Sequence, residues 1–504
     1  MMKVTLLYLD NIVEQRPVSN YPHMDIIASM LSNDYIVTSL YNNTQKEVLE
    51  HVLEKKPEYI GLLINTTEYI NETINFINLI RSESPNSILI AYGVYCTFWS
   101  QFLSTTHKGL VDYIIIGEPE INFYNIITTS KGKTNETQII NEVKVKNLDD
   151  LPIQAMHSKT DLNTMISRGC FNNCLFCCEK PFYGYYRYRS VENVILEIKN
   201  FYDENIDQWI YFSDLDFLAI DSVDKKWFDF FITRINEENI NIKFTFQTRV
   251  NRIINGQELL MKLFDIGLRG VSLGIESGSK RVLNIFNKNS EGPMNREAIN
   301  ILKKLKIPFK INYIMFEPTS TMNDVKENIE FLKSVKFPEG TYISQPPASA
   351  SSKLRIILNS QAFFHYFSDS KNSLRIDNGY LRYDFEDEDV TKYCAKIELW
   401  RNDSSRFFAF YSYCQNYILN CGIEDLRLSI IGNRFKKIDL EVLDLLIDFD
   451  YSNIKIINYI DQTDDLLCRL EKWASNYEDL DNEGIKLRPR GWHVNSEYLF
   501  KANI

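Results

Sequence analysis

Residues Ser167 to Lys180 read SRGCFNNCLFCCEK, and the interpretation of the whole chain starts there. Cys170, Cys174 and Cys177 are spaced CxxxCxxC on a stretch that follows a short strand pattern, NTMIS (Asn163–Ser167), where a loop can gather ligands. Three thiolates so spaced suit three corners of a cubane [4Fe–4S] cluster, since thiolate is the preferred ligand of iron in such clusters. The fourth iron then lacks a protein ligand, and a small molecule carrying both an amino and a carboxylate group can chelate it. With 9 cysteines in 504 residues, this spacing arises by chance about 0.003 times in a chain of this length. A structural zinc site is the alternative metal reading, but it usually joins two CxxC-like pairs. Cys178 is the only nearby fourth thiol, and adjacent cysteines bind one metal poorly, so it reads as a small buried residue. Cys96 stands apart, and Cys394, Cys414, Cys421 and Cys468 lack tight metal spacing and read as core thiols, with a second cluster as the minority reading.

Outward from the cysteines, strand and helix patterns alternate. Strands are expected at QWIYFSD (208–214), IKFTFQTR (242–249), GVSLGIES (270–277), FKINYIMFE (309–317) and TYIS (341–344). Helical patterns lie between them, as in VENVILEIKNFYDE (191–204) and NREAINILKKL (295–305). Six βα units predict a partial (β/α)6 barrel over residues 159–345, with its site at the carboxyl ends of the strands. Upstream, VTLLYLD (4–10), IVTSLY (36–41), YIGLLIN (59–65), SILIAYG (87–93) and VDYIIIG (111–117) read as five strands separated by helices. That pattern predicts an α/β, Rossmann-like or flavodoxin-like domain over 1–127, whose ligands bind beyond the strand ends. Residues 128–158 are polar and read as a linker, with an edge strand possible at IINEVKVK (139–146). Residues 346–504 begin with the small-residue break SASSKL (349–354) and continue as mostly amphipathic helix, as in LEVLDLLIDF (440–449).

At roughly 150 residues per domain, a chain of 504 residues accommodates this three-part division. The formal charge of −11 disfavours an extended nucleic-acid footprint, which needs clustered Lys and Arg. No stretch approaches the ~20 apolar residues of a membrane span, and the start, MMKVTLLYLDN, reads as a strand rather than a signal peptide. Clustered cysteines in a long chain point to metal chemistry in a reducing compartment, so a cytoplasmic location is expected.

CFNNCLFC resembles the cluster motif of the radical SAM superfamily, including the aromatic Phe176 before the last cysteine. YRYRSVENVILEI (186–198) resembles the segment leading into that family's first barrel helix. YFSDLDF resembles its second-strand motif, with Ser213 and Asp214 at the strand end. Arg249 ends the third strand, GIESGS (Gly274–Ser279) resembles the fourth-strand motif, and FEPTST (316–321) stands at the end of the fifth. The likeness spans about residues 160–345. It implies a [4Fe–4S] cluster on Cys170, Cys174 and Cys177, and S-adenosylmethionine beside Phe176, Ser213, Asp214, Arg249, Glu276 and Gly278. Plain structural readings compete: Asp214 and Glu276 as acceptors of backbone N–H groups, Gly274 and Gly278 as turn residues.

The domain order resembles the cobalamin-dependent class of that superfamily. IGLLINTTEYINETINFINLIRSESPNSILIAYG and VDYIIIGEPE look like its third to fifth strands, the latter with a Gly-Glu-x-Glu sequence. The resemblance implies cobalamin at Asn11, Asn65, Thr66, Tyr92, Gly93, Gly117 and Glu118. Two departures stand out: Tyr92-Gly93 replaces the usual Gly-Gly, followed by bulky Tyr95 and Cys96, and no Asp-x-His-x-x-Gly motif supplies a cobalt ligand. His23 reads as a surface or capping residue, and Trp492 and His493 as locally packed. The alternative for this domain is a degenerate fold kept for packing or substrate binding.

The leading expectation is therefore a radical SAM enzyme that performs cobalamin-dependent C-methylation of a small molecule or peptide in a specialised pathway. It would draw electrons from a donor such as flavodoxin or ferredoxin. Cyclisation, rearrangement or oxidation without methyl transfer is the second reading, and a non-catalytic Fe–S sensor or scaffold the third. A methylthiotransferase is disfavoured, because the N-terminal domain has only Cys96 where a second cluster needs three cysteines.

Overall fold

The computed structural model describes residues 1–14, 21–65, 69–129, 132–156, 158–206, 208–335, 353–367, 375–377, 380–421 and 426–475. The chain forms two compact units. The first comprises Met1–Phe246, Asp265–Gly267 and Arg355–Arg382; the second comprises Gln247–Phe264, Leu268–Leu354 and Tyr383–Ile504.

The first unit opens with strands β1 (Lys3–Tyr8), β2 (Ile36–Leu40), β3 (Tyr59–Leu63), β4 (Ile88–Tyr92), β5 (Tyr113–Ile115) and β6 (Gln138–Ile140). They pair in parallel in the order β2-β1-β3-β4-β5-β6. Five strands were expected; the sixth comes from the segment read as a linker with an edge strand, and three residues are too few to show alternation in sequence. Successive side chains of β1 face opposite ways, so Leu6 and Tyr8 join one buried cluster while Leu7 joins the other. Strands β3 and β4 are buried at every residue, as parallel strands covered on both faces must be. Gly61 in β3 leaves room for the ring of Phe123, whose atoms lie 2.8 Å from where a Cβ would stand.

A second parallel group in this unit contains β7 (Asp161–Thr164) and, further along the chain, β10 (Trp209–Phe212) and the first residues of β11 (Lys243–Arg249). Between them an antiparallel hairpin, β8 (Ser167–Arg168) with β9 (Arg187–Tyr188), brackets the cysteines. Strand β11 carries the chain into the second unit, where β12 (Leu268–Glu276) pairs in parallel with β13 (Phe309–Tyr313). The sixth expected barrel strand, at 341–344, lies outside the described residues.

Three long helices, Glu388–Cys421, Leu426–Asp448 and Ile454–Ser475, form the C-terminal part of the second unit. Trp400 Nε1 donates to Asp439 Oδ1 at 2.7 Å and Tyr393 OH to the Leu443 carbonyl at 2.8 Å, which ties the first two together. The region is thus mostly helical, as expected, with one addition. The ribbon β14 (Arg375–Asp377) and β15 (Tyr380–Arg382) belongs to the first unit, where Ile357 and Tyr380 join the apolar cluster of Tyr95 and Trp99.

Candidate functional site

The cysteine loop is built on the shortest element in the unit. Hairpin β8–β9 pairs Ser167 with Tyr188 and Arg168 with Arg187. Gly169 adopts φ +84°, and a Cβ there would stand 2.2 Å from the Tyr185 carbonyl oxygen, so only glycine permits this approach. The Cys177 amide donates to the Cys174 carbonyl at 3.1 Å, closing a turn between the last two thiols. Cys170 Sγ accepts from the backbone and side-chain N–H groups of Asn172, both at 3.4 Å. Lys180 Nζ donates to the Cys170 carbonyl. None of the three thiols, nor Cys178, is in a disulfide; burial pushes Cys177 up to about 12, so a metal must displace its proton on binding.

Among the described residues no three His, Cys, Asp or Glu side chains converge on a metal position. The donor set nonetheless fits an iron–sulfur cluster: three cysteines outside any disulfide within eight residues, with N–H donors already directed at one sulfur. Phe176 is half-buried between the last two thiols. Helix Gln361–Phe367 meets this loop, Gln361 Nε2 donating to Asn173 Oδ1 at 3.1 Å.

Behind the loop, Asp214 is fully buried and accepts from Ile166 N (3.2 Å), Ser167 N (2.6 Å) and Ser167 Oγ (2.5 Å). Burial pushes its carboxyl up to about 7 against the opposing pull of these donors. Ser213 bonds the Thr164 carbonyl through both its amide (2.8 Å) and its hydroxyl (3.3 Å). Both residues expected beside S-adenosylmethionine therefore anchor the stretch that leads into the cysteine loop.

In the second unit, β12 ends on an irregularity between Gly274 and Glu276, and Glu276 takes a left-handed φ of +68°. Such a conformation is uncommon for a residue with a Cβ, and non-glycine strain of this kind clusters at functional sites. Glu276 Oε1 pairs with Lys288 Nζ at 2.8 Å, both buried, and Arg249 donates to the Lys288 carbonyl. Gly274 makes room for this pair, since a Cβ there would lie 2.8 Å from Lys288 Nζ and 2.9 Å from Glu276 Oε1. Lys288 escaped the sequence reading because it stands alone beyond the motif. Gly278 serves packing: its amide donates to Asn328 Oδ1 (2.7 Å) and Tyr313 OH (2.9 Å), and a Cβ would stand 2.5 Å from Phe331 Cβ.

At the N-terminal sheet the strand order reverses between β1 and β3, the place where ligands of such sheets bind beyond the carboxyl ends. Asp10 Oδ2 accepts from Asn65 N at 2.9 Å there. Asn65 Oδ1 in turn accepts from Val94 N at 3.0 Å, capping the helix Val94–Thr106. Gly93, at φ +117°, passes so close to Ile64 that a Cβ would stand 2.4 Å from its carbonyl oxygen. Tyr92 is fully buried against Phe123, its hydroxyl without a hydrogen-bond partner. Gly117 donates to Thr97 Oγ1 at 2.9 Å and leaves space for the Glu142 carboxyl.

Glu118, expected beside cobalamin, accepts from Arg168 and Arg187. Asn11 lies in the helix Leu9–Glu14, and Thr66 lies outside the described residues, as do Trp492 and His493. His23, read as a surface or capping residue, is 1% exposed and bonded to Glu120 and Tyr183; no motif marks it.

The profile of the Radical SAM superfamily matches residues 164–332. A protein of Pyrococcus horikoshii named an uncharacterised methyltransferase is 25% identical over 338 residues, covering 61% of this chain and 72% of that protein. Of the other curated relatives compared, the chain spans between 26% and 65% of their length. In fold the chain resembles the cobalamin-dependent S-adenosylmethionine radical enzyme OxsB with aqua-cobalamin and S-adenosylmethionine bound. That likeness has a TM-score of 0.71 at 16% identity and covers 100% of this chain and 83% of OxsB. It also resembles the radical S-adenosylmethionine methyltransferase TsrM from Kitasatospora setae, with a TM-score of 0.57 at 14% identity, covering 72% of this chain and 76% of TsrM.

Proposed function

We propose, for a chain that is a radical SAM enzyme by the domain it carries at residues 164–332, a cobalamin-dependent methyl transfer to carbon in a small molecule or peptide. The carrying observation is the set of three cysteines outside any disulfide, Cys170, Cys174 and Cys177, on one loop. These cysteines would hold a [4Fe–4S] cluster, which would supply one electron to S-adenosylmethionine, while cobalamin would carry the methyl group. Asn172 directs two N–H groups at Cys170 Sγ. Asp214 holds the backbone before Arg168 in place, so the approach to the loop is fixed before any ligand arrives. In the second unit, the Glu276–Lys288 pair keeps two opposite charges at the end of β12.

Cobalamin would bind beyond the carboxyl ends of β1 and β3, around Asp10 and Asn65. The fold likeness to OxsB and TsrM supports this reading. Radical chemistry without methyl transfer is the second reading. It is favoured by the engagement of Tyr92, Gly93, Gly117 and Glu118 in internal contacts. Anaerobic purification with cobalamin supplied, followed by iron, sulfide and cobalt analysis, separates the two. Stoichiometric cobalt beside one cluster is expected, with S-adenosylhomocysteine and methylated product in turnover. A cluster with no cobalt favours the second reading.

A further inference from the structure

Six buried side chains meet in the first unit. His23, Glu118, Glu120, Arg168, Tyr183 and Arg187 are each at most 5% exposed. Glu118 Oε2 accepts from Arg168 Nη1 and from Arg187 Nη1, each at 3.1 Å, and Glu118 Oε1 accepts from Arg187 Nη2. Glu120 Oε1 accepts from Arg168 Nη2 at 2.6 Å and meets His23 Nδ1 at 2.6 Å, while His23 Nε2 meets Tyr183 OH at 2.9 Å. Arg187 also donates to the carbonyls of Val145 (2.6 Å) and Tyr183 (2.8 Å). Burial alone would raise the Glu120 carboxyl, but the Arg168 guanidinium and His23 outweigh it and hold the group below the ordinary carboxylate range.

The placement of the two arginines is the informative part. Arg168 precedes Cys170 by two residues, and Arg187 opposes it on the returning strand. The hairpin pairs only two residues on each side, too few to be stable alone. One carboxylate oxygen of Glu118 takes an N–H from each limb, so the neck of the cysteine loop is closed from outside by a residue of the N-terminal domain. Two carboxylates face two guanidiniums in a buried site, where bidentate geometry is strongly directional.

We propose that Glu118, Glu120, Arg168 and Arg187 are positioning residues that clasp the neck of the cluster loop and set the environment of the cluster. The clasp rests on the assignment of the cluster to Cys170, Cys174 and Cys177. It also assigns the Gly-Glu-x-Glu sequence of this chain to loop positioning instead of to a bound corrinoid.

The test uses the full chain, anaerobically loaded with iron and sulfide, and the double variant Glu118→Met with Arg187→Met. Removing both partners leaves Arg168 paired with Glu120, so no buried charge is stranded and folding is retained. The expected result is a melting temperature near that of wild type, a tenfold faster loss of iron to bathophenanthroline disulfonate, and an altered electron paramagnetic resonance signal of the reduced cluster with S-adenosylmethionine. Wild-type iron release and an unchanged signal in that folded variant overturn the proposal. Should the double variant fail to fold, Arg187→Lys, which keeps the charge and loses the fork, is read in the same way. Wild-type protein that assembles no cluster overturns the underlying reading, whereas a loaded wild type with unaffected variants overturns only the clasp.

Discussion

Gly169→Ala puts the geometry of the cysteine loop to a quantitative test. Alanine at φ +84° costs about 1–2 kcal/mol from the left-handed backbone alone. The new Cβ would also lie 2.2 Å from the Tyr185 carbonyl oxygen, a backbone atom that cannot rotate aside. Relief requires the limbs of the β8–β9 hairpin to part, which pulls Arg168 and Arg187 from the buried Glu118 carboxylate. Disrupting a buried ion pair costs roughly 3–5 kcal/mol, so local opening of the loop becomes about 3 kcal/mol easier at the least. Every 1.4 kcal/mol is about tenfold, so iron release limited by local opening should accelerate about a hundredfold. Gly109→Ala is the matched control: φ is +76°, nothing lies within 4 Å of its Cβ, and only the backbone cost of about 1–2 kcal/mol applies. The assay is chelator-dependent iron loss from anaerobically loaded protein, with circular dichroism to show that both variants are folded. Equal iron retention by Gly169→Ala and Gly109→Ala would refute the reasoning.

Replacing Cys170, Cys174 or Cys177 by Ala should abolish the cluster's visible absorption, whereas Cys178→Ala should keep wild-type iron and sulfide; loss of iron from Cys178→Ala would point to a different ligand set. Asp214, pushed up to about 7 by burial, binds its proton more tightly folded than unfolded, so its contribution to stability is full below its unfolded value near 4 and is lost as pH rises through about 7. Urea unfolding between pH 4 and 7 should therefore show a downward slope of up to about 1.4 kcal/mol per pH unit that is absent in Asp214→Asn; equal slopes would refute this. Lys288→Met strands the buried Glu276 carboxylate and should destabilise the second unit by roughly 3–5 kcal/mol, whereas the double variant with Glu276→Met should recover most of that in the same urea titration.

What the sequence disclosed follows the range over which each pattern acts. Alternation and continuous apolar runs located β1, β3 and β4 because each is long enough to carry a period. Strand β6 and the ribbon β14–β15 have three residues per strand, which leaves no period to read. The cysteine motif was legible because its ligands are local in the chain. Lys288 and His23 were not, because their partners are set by folding: Lys288 meets Glu276 across a turn and a helix, and His23 meets Glu120 and Tyr183 from 97 and 160 residues away. Glu118 shows the limit of motif transfer. Its motif marked it as noteworthy, yet only the packed structure reveals that its oxygens face two arginines.

The most direct test of the account is anaerobic reduction of the iron-loaded chain with dithionite in the presence of S-adenosylmethionine, with chromatographic measurement of 5′-deoxyadenosine and methionine. The account predicts both products in equal amounts from wild-type protein and neither from Cys174→Ala. Protein that binds zinc at Cys170, Cys174 and Cys177, or that holds a cluster and releases no 5′-deoxyadenosine, would contradict it.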